Sequence, residues 1–205
     1  MVTKETENLY NDYLSQSDSR WEYGNSILYR MCKEEPKHKE IDVIVGKVWL
    51  IGRSYAAAIE RRKNAVDDND DFYYDVVAPK MLEIGSELDD RITRLQESTG
   101  HIVDDVEEIL STHKFLTDTF GKMTGLKKRS LASKYLHFHC PEKFFIYDSR
   151  AIKSIGKLVK RPDKKFLVNV SDYDQEYGDF VCRMLELQEY LYEKLGTYEM
   201  PRSID

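Results

Sequence analysis

The chain has 205 residues, 41% of them hydrophobic and 33% charged, with a net charge of −6. That length fits one domain with a sizeable core, and no stretch approaches the roughly 18 consecutive apolar residues of a membrane span. Three cysteines (Cys32, Cys140, Cys182), odd in number and far apart, exclude a four-cysteine iron–sulfur cluster from one chain and fit a reducing cytoplasm, and residues 1–14 lack the apolar core of a secretion signal.

Residues 4–15 predict a short helix with Leu9, Tyr10, Tyr13 and Leu14 as its apolar stripe. Ser17 or Asp18 caps the next helix, which carries Trp21, Ile27, Leu28 and Met31 and ends at Pro36. From Glu40 to about residue 63, Ile41, Ile44, Val45, Val48, Trp49, Tyr55 and Ile59 recur at helical spacing, with Gly46 and Gly52 marking a bend or a close helix contact. Residues 67–71 form a polar loop, and residues 72–96 are helical, kinked or split by Pro79. Gly100 breaks the chain before a helix over 103–123 that carries Val106, Leu110, Phe115, Leu116 and Phe120. A helix over 149–160 bears Ile152, Ile155 and Leu158 and stops at Pro162; residues 166–170 are the only plausible strand. The final helix, 174–195, aligns Phe180, Met184, Leu187 and Leu191, and the tail from Gly196 is expected to fray. No repeat or low-complexity segment interrupts this pattern. It describes an all-α globule of one domain, 1–205: a helical body over 1–120, a basic segment over 121–165, and a C-terminal helix over 166–205 returning to the body.

Residues 125–150, GLKKRSLASKYLHFHCPEKFFIYDSR, hold most of the chemically committed side chains. Residues 122–165 contain 13 Lys and Arg against three acids, a net of +10, which leaves −16 on the rest of the chain. A local positive field on an acidic body suits phosphate binding while limiting non-specific adhesion; a solvated basic face has the same composition. A helix, a turn at Gly125 and a second helix from about Lys127 make a helix–hairpin–helix. The glycine allows a left-handed turn that approaches a phosphate, and the second helix directs free N–H groups at it. Lys127, Lys128 and Arg129 oppose the helix dipole there, an arrangement that an anion would relieve; a plain interhelix turn with surface lysines is the equal alternative. Leu131, Tyr135 and Phe138 form a core stripe with Ala132, Leu136 and His139 beside it, while Lys134 and His137 fall off its centre. Phe144, Phe145, Ile146 and Tyr147 then lead into Asp148, which serves as an N-cap and, on a buried entry segment, could serve as a base or charge stabiliser as well.

These residues resemble the core of the helix–hairpin–helix DNA glycosylase superfamily, and within it the 8-oxoguanine DNA glycosylase branch. Gly125 and Leu126 match the start of the family hairpin, Ala132 the small residue early in its second helix, and residues 145–148 the segment that ends in the catalytic aspartate. The resemblance implies a catalytic role for Asp148. It puts the family's nucleophilic lysine 19 residues earlier, where this chain has Arg129, and Lys127 replaces the second hairpin glycine. A guanidinium stays protonated and cannot form a Schiff base. Lys128, one position along, is turned by about 100°. Three readings follow: a glycosylase without lyase activity in which Asp148 orients water or stabilises the sugar cation; a relocated nucleophile at Lys128 or Lys134; or an inert scaffold that binds nucleic acid, a nucleotide or a protein partner. Relatives of the branch in bacterial anti-phage loci bring defence, beside repair, into view.

The resemblance implies duplex DNA with a flipped base as partner, with Gly125, Leu126, Lys127 and Lys128 on its backbone. Base-pocket candidates are His137, Tyr147, Arg150 and Arg53; for Arg53 a structural ion pair is the alternative. Arg61, Arg62 and Lys63 form a second basic cluster within reach of phosphate. His137 and His139 lie about 200° apart on a helix and cannot share an ion, so neither a metal nor a cofactor is expected.

Overall fold

Helical periodicity dominates the sequence, and in the computed structural model, which describes residues 21–61, 71–196 and 198–204, every regular element is helical. In chain order these are α1 (Glu22–Glu34), α2 (Ile41–Ser54), a π-helical turn (Tyr73–Val77) running into α3 (Ala78–Glu83), α4 (Gly85–Glu97), α5 (Val106–Thr124), α6 (Arg129–His139), α7 (Ser149–Leu158), a 3-10 turn (Lys164–Leu167), α8 (Gln175–Leu195) and α9 (Pro201–Ile204). The expected helix at 4–15, the caps Ser17 and Asp18, most of the 67–71 loop, Arg62 and Lys63 lie outside the described residues.

α2 stops at Ser54, well before residue 63. Ala56 takes a left-handed φ of 52°, and Ala57 N–H donates back to the Gly52 carbonyl at 2.7 Å. Gly52 permits this reversal, because a Cβ there would stand 3.3 Å from Ala58 Cα. The loop 55–61 is thereby folded beside the start of α6. The helix over 72–96 divides near Pro79: the π-helical turn gives way to α3 immediately before it, and Pro79 takes the first turn of α3, where a missing N–H costs least. A further break falls at Ile84, beside Gly85, against which the His38 carbonyl packs.

The expected strand at 166–170 is a 3-10 turn instead. Asp163 Oδ1 accepts from Lys165 N at 2.9 Å, Phe166 and Leu167 turn inward, and Val168 is 78% exposed. A lone strand has no ladder partner, and a turn lets two successive apolar residues face the core. The tail does not simply fray: Gly196 ends α8 with φ 71°, Gln188 Nε2 donates to Glu199 O at 2.6 Å, and Pro201 is buried.

α6 runs through the centre, against α1, α2 and α5, with all of residues 131–139 buried. A buried polar strut fixes it. His38 Nδ1–H donates to Asp89 Oδ1 at 2.6 Å and its Nε2 accepts from Tyr135 O–H at 2.7 Å; the acceptor-only carboxylate sets this tautomer. At the other end His113 on α5 donates to Arg129 O at 3.2 Å and stacks on Tyr177 of α8, ring centroids 3.5 Å apart.

Candidate functional site

The hairpin forms at the expected place. Gly125 adopts φ 69°, its N–H bonds Gly121 O at 2.8 Å, and the Thr124 hydroxyl accepts from Leu126 N at 3.2 Å. α6 begins at Arg129, two residues after Lys127. Two of the three cations here are turned to internal acceptors. Lys128 Nζ donates to the carbonyls of Ala58, at 3.1 Å, and Arg61. Burial draws its pKa below the usual lysine value, against the pull of Glu60. Arg129 Nε bonds Asp174 Oδ1 at 2.6 Å and its Nη1 meets Glu176 Oε2 at 3.1 Å. Burial works against that guanidinium, but the two carboxylates raise its pKa above the usual arginine value. Lys127, 66% exposed, stands 3.8 Å from Asp174 Oδ2.

Asp148 meets a different cation. It precedes α7 in extended conformation, and its Oδ1 accepts from Arg150 N at 2.9 Å and Ala151 N at 3.0 Å, capping the helix. The Ser133 hydroxyl accepts Tyr147 N–H at 2.9 Å and so ties the entry segment to α6. Asp148 Oδ2 then faces Lys134 Nζ at 3.7 Å. Lys134 also donates to Ser130 Oγ at 2.9 Å and Tyr55 O at 3.3 Å, and lies 5.5 Å from the centroid of the Tyr55 ring. The lysine side chain is 3% exposed and the aspartate 32%, so the pair has one buried end and one open end. Burial lowers the Lys134 pKa, while the Asp148 charge pulls it back up.

Asp148, Lys134, Ser130 and Tyr55 thus meet at one point. Arg129 belongs to a neighbouring group with Asp174, Glu176 and Tyr147, whose hydroxyl donates to Glu176 Oε2 at 3.3 Å. On the other flank exposed Arg53 pairs with Glu60, which also accepts from Tyr73. Arg150 is exposed on α7. His137, fully buried, uses both ring nitrogens, on Tyr29 O–H and Phe144 O, each at 2.7 Å. His139 points elsewhere, stacked on His38.

Sequence reasoning gave Lys134 only a passing role because a helical wheel puts it off the core stripe. α6 is buried all round, so every polar residue on it needs a partner. The available signal was Ser130 and Lys134 at i and i+4, flanked by small residues that admit close neighbours. Two cavities, of about 210 Å³ beside His101, Gln188 and Tyr198 and about 450 Å³ beside Arg91, Glu108 and Asp172, include neither Lys134 nor Asp148.

Comparison with known protein families, curated proteins and solved structures finds no match. The glycosylase resemblance therefore rests on residues 125–150. Among the described residues no helix is long and apolar enough to cross a membrane, and no group of three or more His, Cys, Asp or Glu is placed to hold a metal. The three cysteines are buried free thiols, pushed up to about 12 by desolvation.

Proposed function

We propose that this chain binds duplex DNA carrying a flipped base and hydrolyses its N-glycosidic bond, without lyase chemistry. The observation that carries the reading is the divided use of Asp148: Oδ1 is fixed by two backbone N–H groups, while Oδ2 lies 3.7 Å from Lys134, beyond direct hydrogen-bond distance, in a side chain 32% exposed. A carboxylate accepts about four hydrogen bonds, so Oδ2 keeps capacity for a water or a sugar. When the glycosidic C–N bond breaks, its electron pair leaves with the base and positive charge builds on the sugar. A fixed carboxylate stabilises that charge and takes a proton from the attacking water. Lys134 is a positioning residue, its three donors directed at Ser130, Tyr55 and Asp148. Arg129 stays protonated and offers no lone pair for a Schiff base, and at Lys134 the Asp148 charge favours the ammonium against burial.

Asp148→Asn separates chemistry from folding, because asparagine also caps helices well. Wild-type protein should release a base from at least one duplex in a panel of damaged and modified bases. The variant should release none while still binding, and borohydride should trap no adduct on an abasic duplex. A panel without any release overturns the enzymatic reading; an adduct lost in Lys134→Met restores a lysine nucleophile.

A second reading, an inert module that binds nucleic acid, a nucleotide or a protein partner in anti-phage defence, is favoured by the clasp of Arg129 to Asp174 and Glu176, which commits the family's nucleophile position to structure. It predicts that Asp148→Asn alters neither binding nor any product.

A further inference from the structure

The geometry points to the outer face of α7, rather than the hairpin, as the surface that takes the phosphate backbone of duplex DNA. This rests on the nucleic-acid reading above and names the contact surface within it. Two of the three hairpin cations are already engaged, Lys128 by two carbonyls and Arg129 by two carboxylates, and exposed Lys127 has the Asp174 carboxylate 3.8 Å away to offset its charge. The cations of α7 are not engaged in this way. Arg150, Lys153 and Lys157 are exposed, and none of them forms an ion pair with a described residue. Lys160 and Arg161, just beyond the helix, are exposed and likewise outside every such pair.

At about 100° per residue, Arg150, Lys153 and Lys157 fall within about 60° of one another, and at 1.5 Å per residue they span about 10 Å along the axis. Ala151 and Ile155 occupy the opposite, buried face, with α7 laid against α8. Packing therefore aims the cations outward as one stripe. The acids nearby face away from the stripe: Asp148 caps the helix through Oδ1 and turns Oδ2 toward Lys134 of α6, and Asp163 accepts from Lys165 N. Asp148 begins the helix whose outer face bears the stripe. The stripe and the capping aspartate thus belong to one rigid element, with Arg150 two residues from Asp148. Along one strand DNA offers a phosphate about every 3.4 Å of axis, so three cations over about 10 Å meet a run of about three phosphates.

The test is binding of a fluorescent duplex containing a tetrahydrofuran abasic analogue, measured from 50 to 200 mM salt, with anionic phosphatidylserine vesicles in parallel. Lys153→Gln/Lys157→Gln should weaken duplex binding about tenfold at the upper salt and reduce the slope of log K against log salt by about 2, since each phosphate contact contributes about 0.9. Lys127→Gln should change affinity less than twofold. Both substitutions are at exposed residues, and an unchanged melting curve shows that the fold is intact. If Lys127→Gln weakens binding as much as the pair does, or if neither has an effect, the α7 surface is wrong and the nucleic-acid reading stands. If the wild-type protein shows no salt-dependent duplex binding, or binds vesicles alone, both fail.

Discussion

Two aspartates cap two helices, and each also meets a basic residue of α6, yet the two pairs differ in kind. Asp174 caps α8 through Tyr177 N at 3.1 Å and holds Arg129 at 2.6 Å, with side chains 5% and 16% exposed. Asp148 caps α7 and stands 3.7 Å from Lys134, with its own side chain 32% exposed. The first pair is closed on both sides; the second is closed on the lysine side alone. A planar guanidinium reaching a nearly buried carboxylate makes a structural clasp, whereas a point-charge ammonium held back from a half-open carboxylate leaves an oxygen to be used. The same sequence pattern, an aspartate before a helix, thus serves anchoring in one place and a candidate site in the other.

Acid should produce the largest change, and it should loosen both ends of α6. Burial holds His113 down to about 3 and His137 down to about 4, and drives His139 well below the usual histidine range. All three are neutral in the fold, while the unfolded chain takes up protons near 6.5. Their contribution to stability is therefore complete above about pH 6.5 and is lost as the pH falls toward 4 and then 3. Each histidine removes up to about 1.4 kcal/mol per pH unit in that window. Melting temperature followed from pH 7.5 to 4.5 should drop steeply below 6.5, and the His113 ring should remain unprotonated by NMR at pH 5. A flat profile would mean that these rings reach water.

Breaking the closed clasp comes next. Asp174→Ala removes a cap, about 1 kcal/mol, and strips the carboxylate from a mostly buried guanidinium. Glu176 remains at 3.1 Å and limits the damage, so a loss of about 3 kcal/mol is expected in denaturant melts. A loss under about 1 kcal/mol would show the clasp to be no tighter than an exposed pair.

The contrast between the pairs explains what sequence could and could not reveal. Asp148 and Gly125 were legible because their signals are local: an aspartate before an apolar-periodic run, and a glycine where a helix must turn back. The partners of Arg129 and Lys134 were not, since Asp174 lies 45 residues from Arg129, and Tyr55 lies 79 from Lys134. The His38–Asp89–Tyr135 strut joins three distant segments and left no periodic trace. Residues 166–170 misled because a short apolar run does not distinguish a strand from a turn that buries two residues. The early end of α2 depended on Ala56 accepting a left-handed φ, against its own preference, to seat the 55–61 loop.

The smallest stability effect should come from the open pair, and it bears most directly on the site. Lys134→Met removes a buried cation and substitutes an unbranched apolar chain that fills similar space. The relieved desolvation offsets the lost bonds to Ser130 and Tyr55 O, and Asp148 stays capped and a third exposed. The change should stay within about 1 kcal/mol, against about 3 for Asp174→Ala. On the proposed glycosylase reading base release should nevertheless fall, because Oδ2 loses the charge it faces, and the loss should appear in kcat more than in KM. If Lys134→Met destabilises the fold as much as Asp174→Ala does, the open pair is a second clasp, and the division between anchoring and chemistry on α6 disappears.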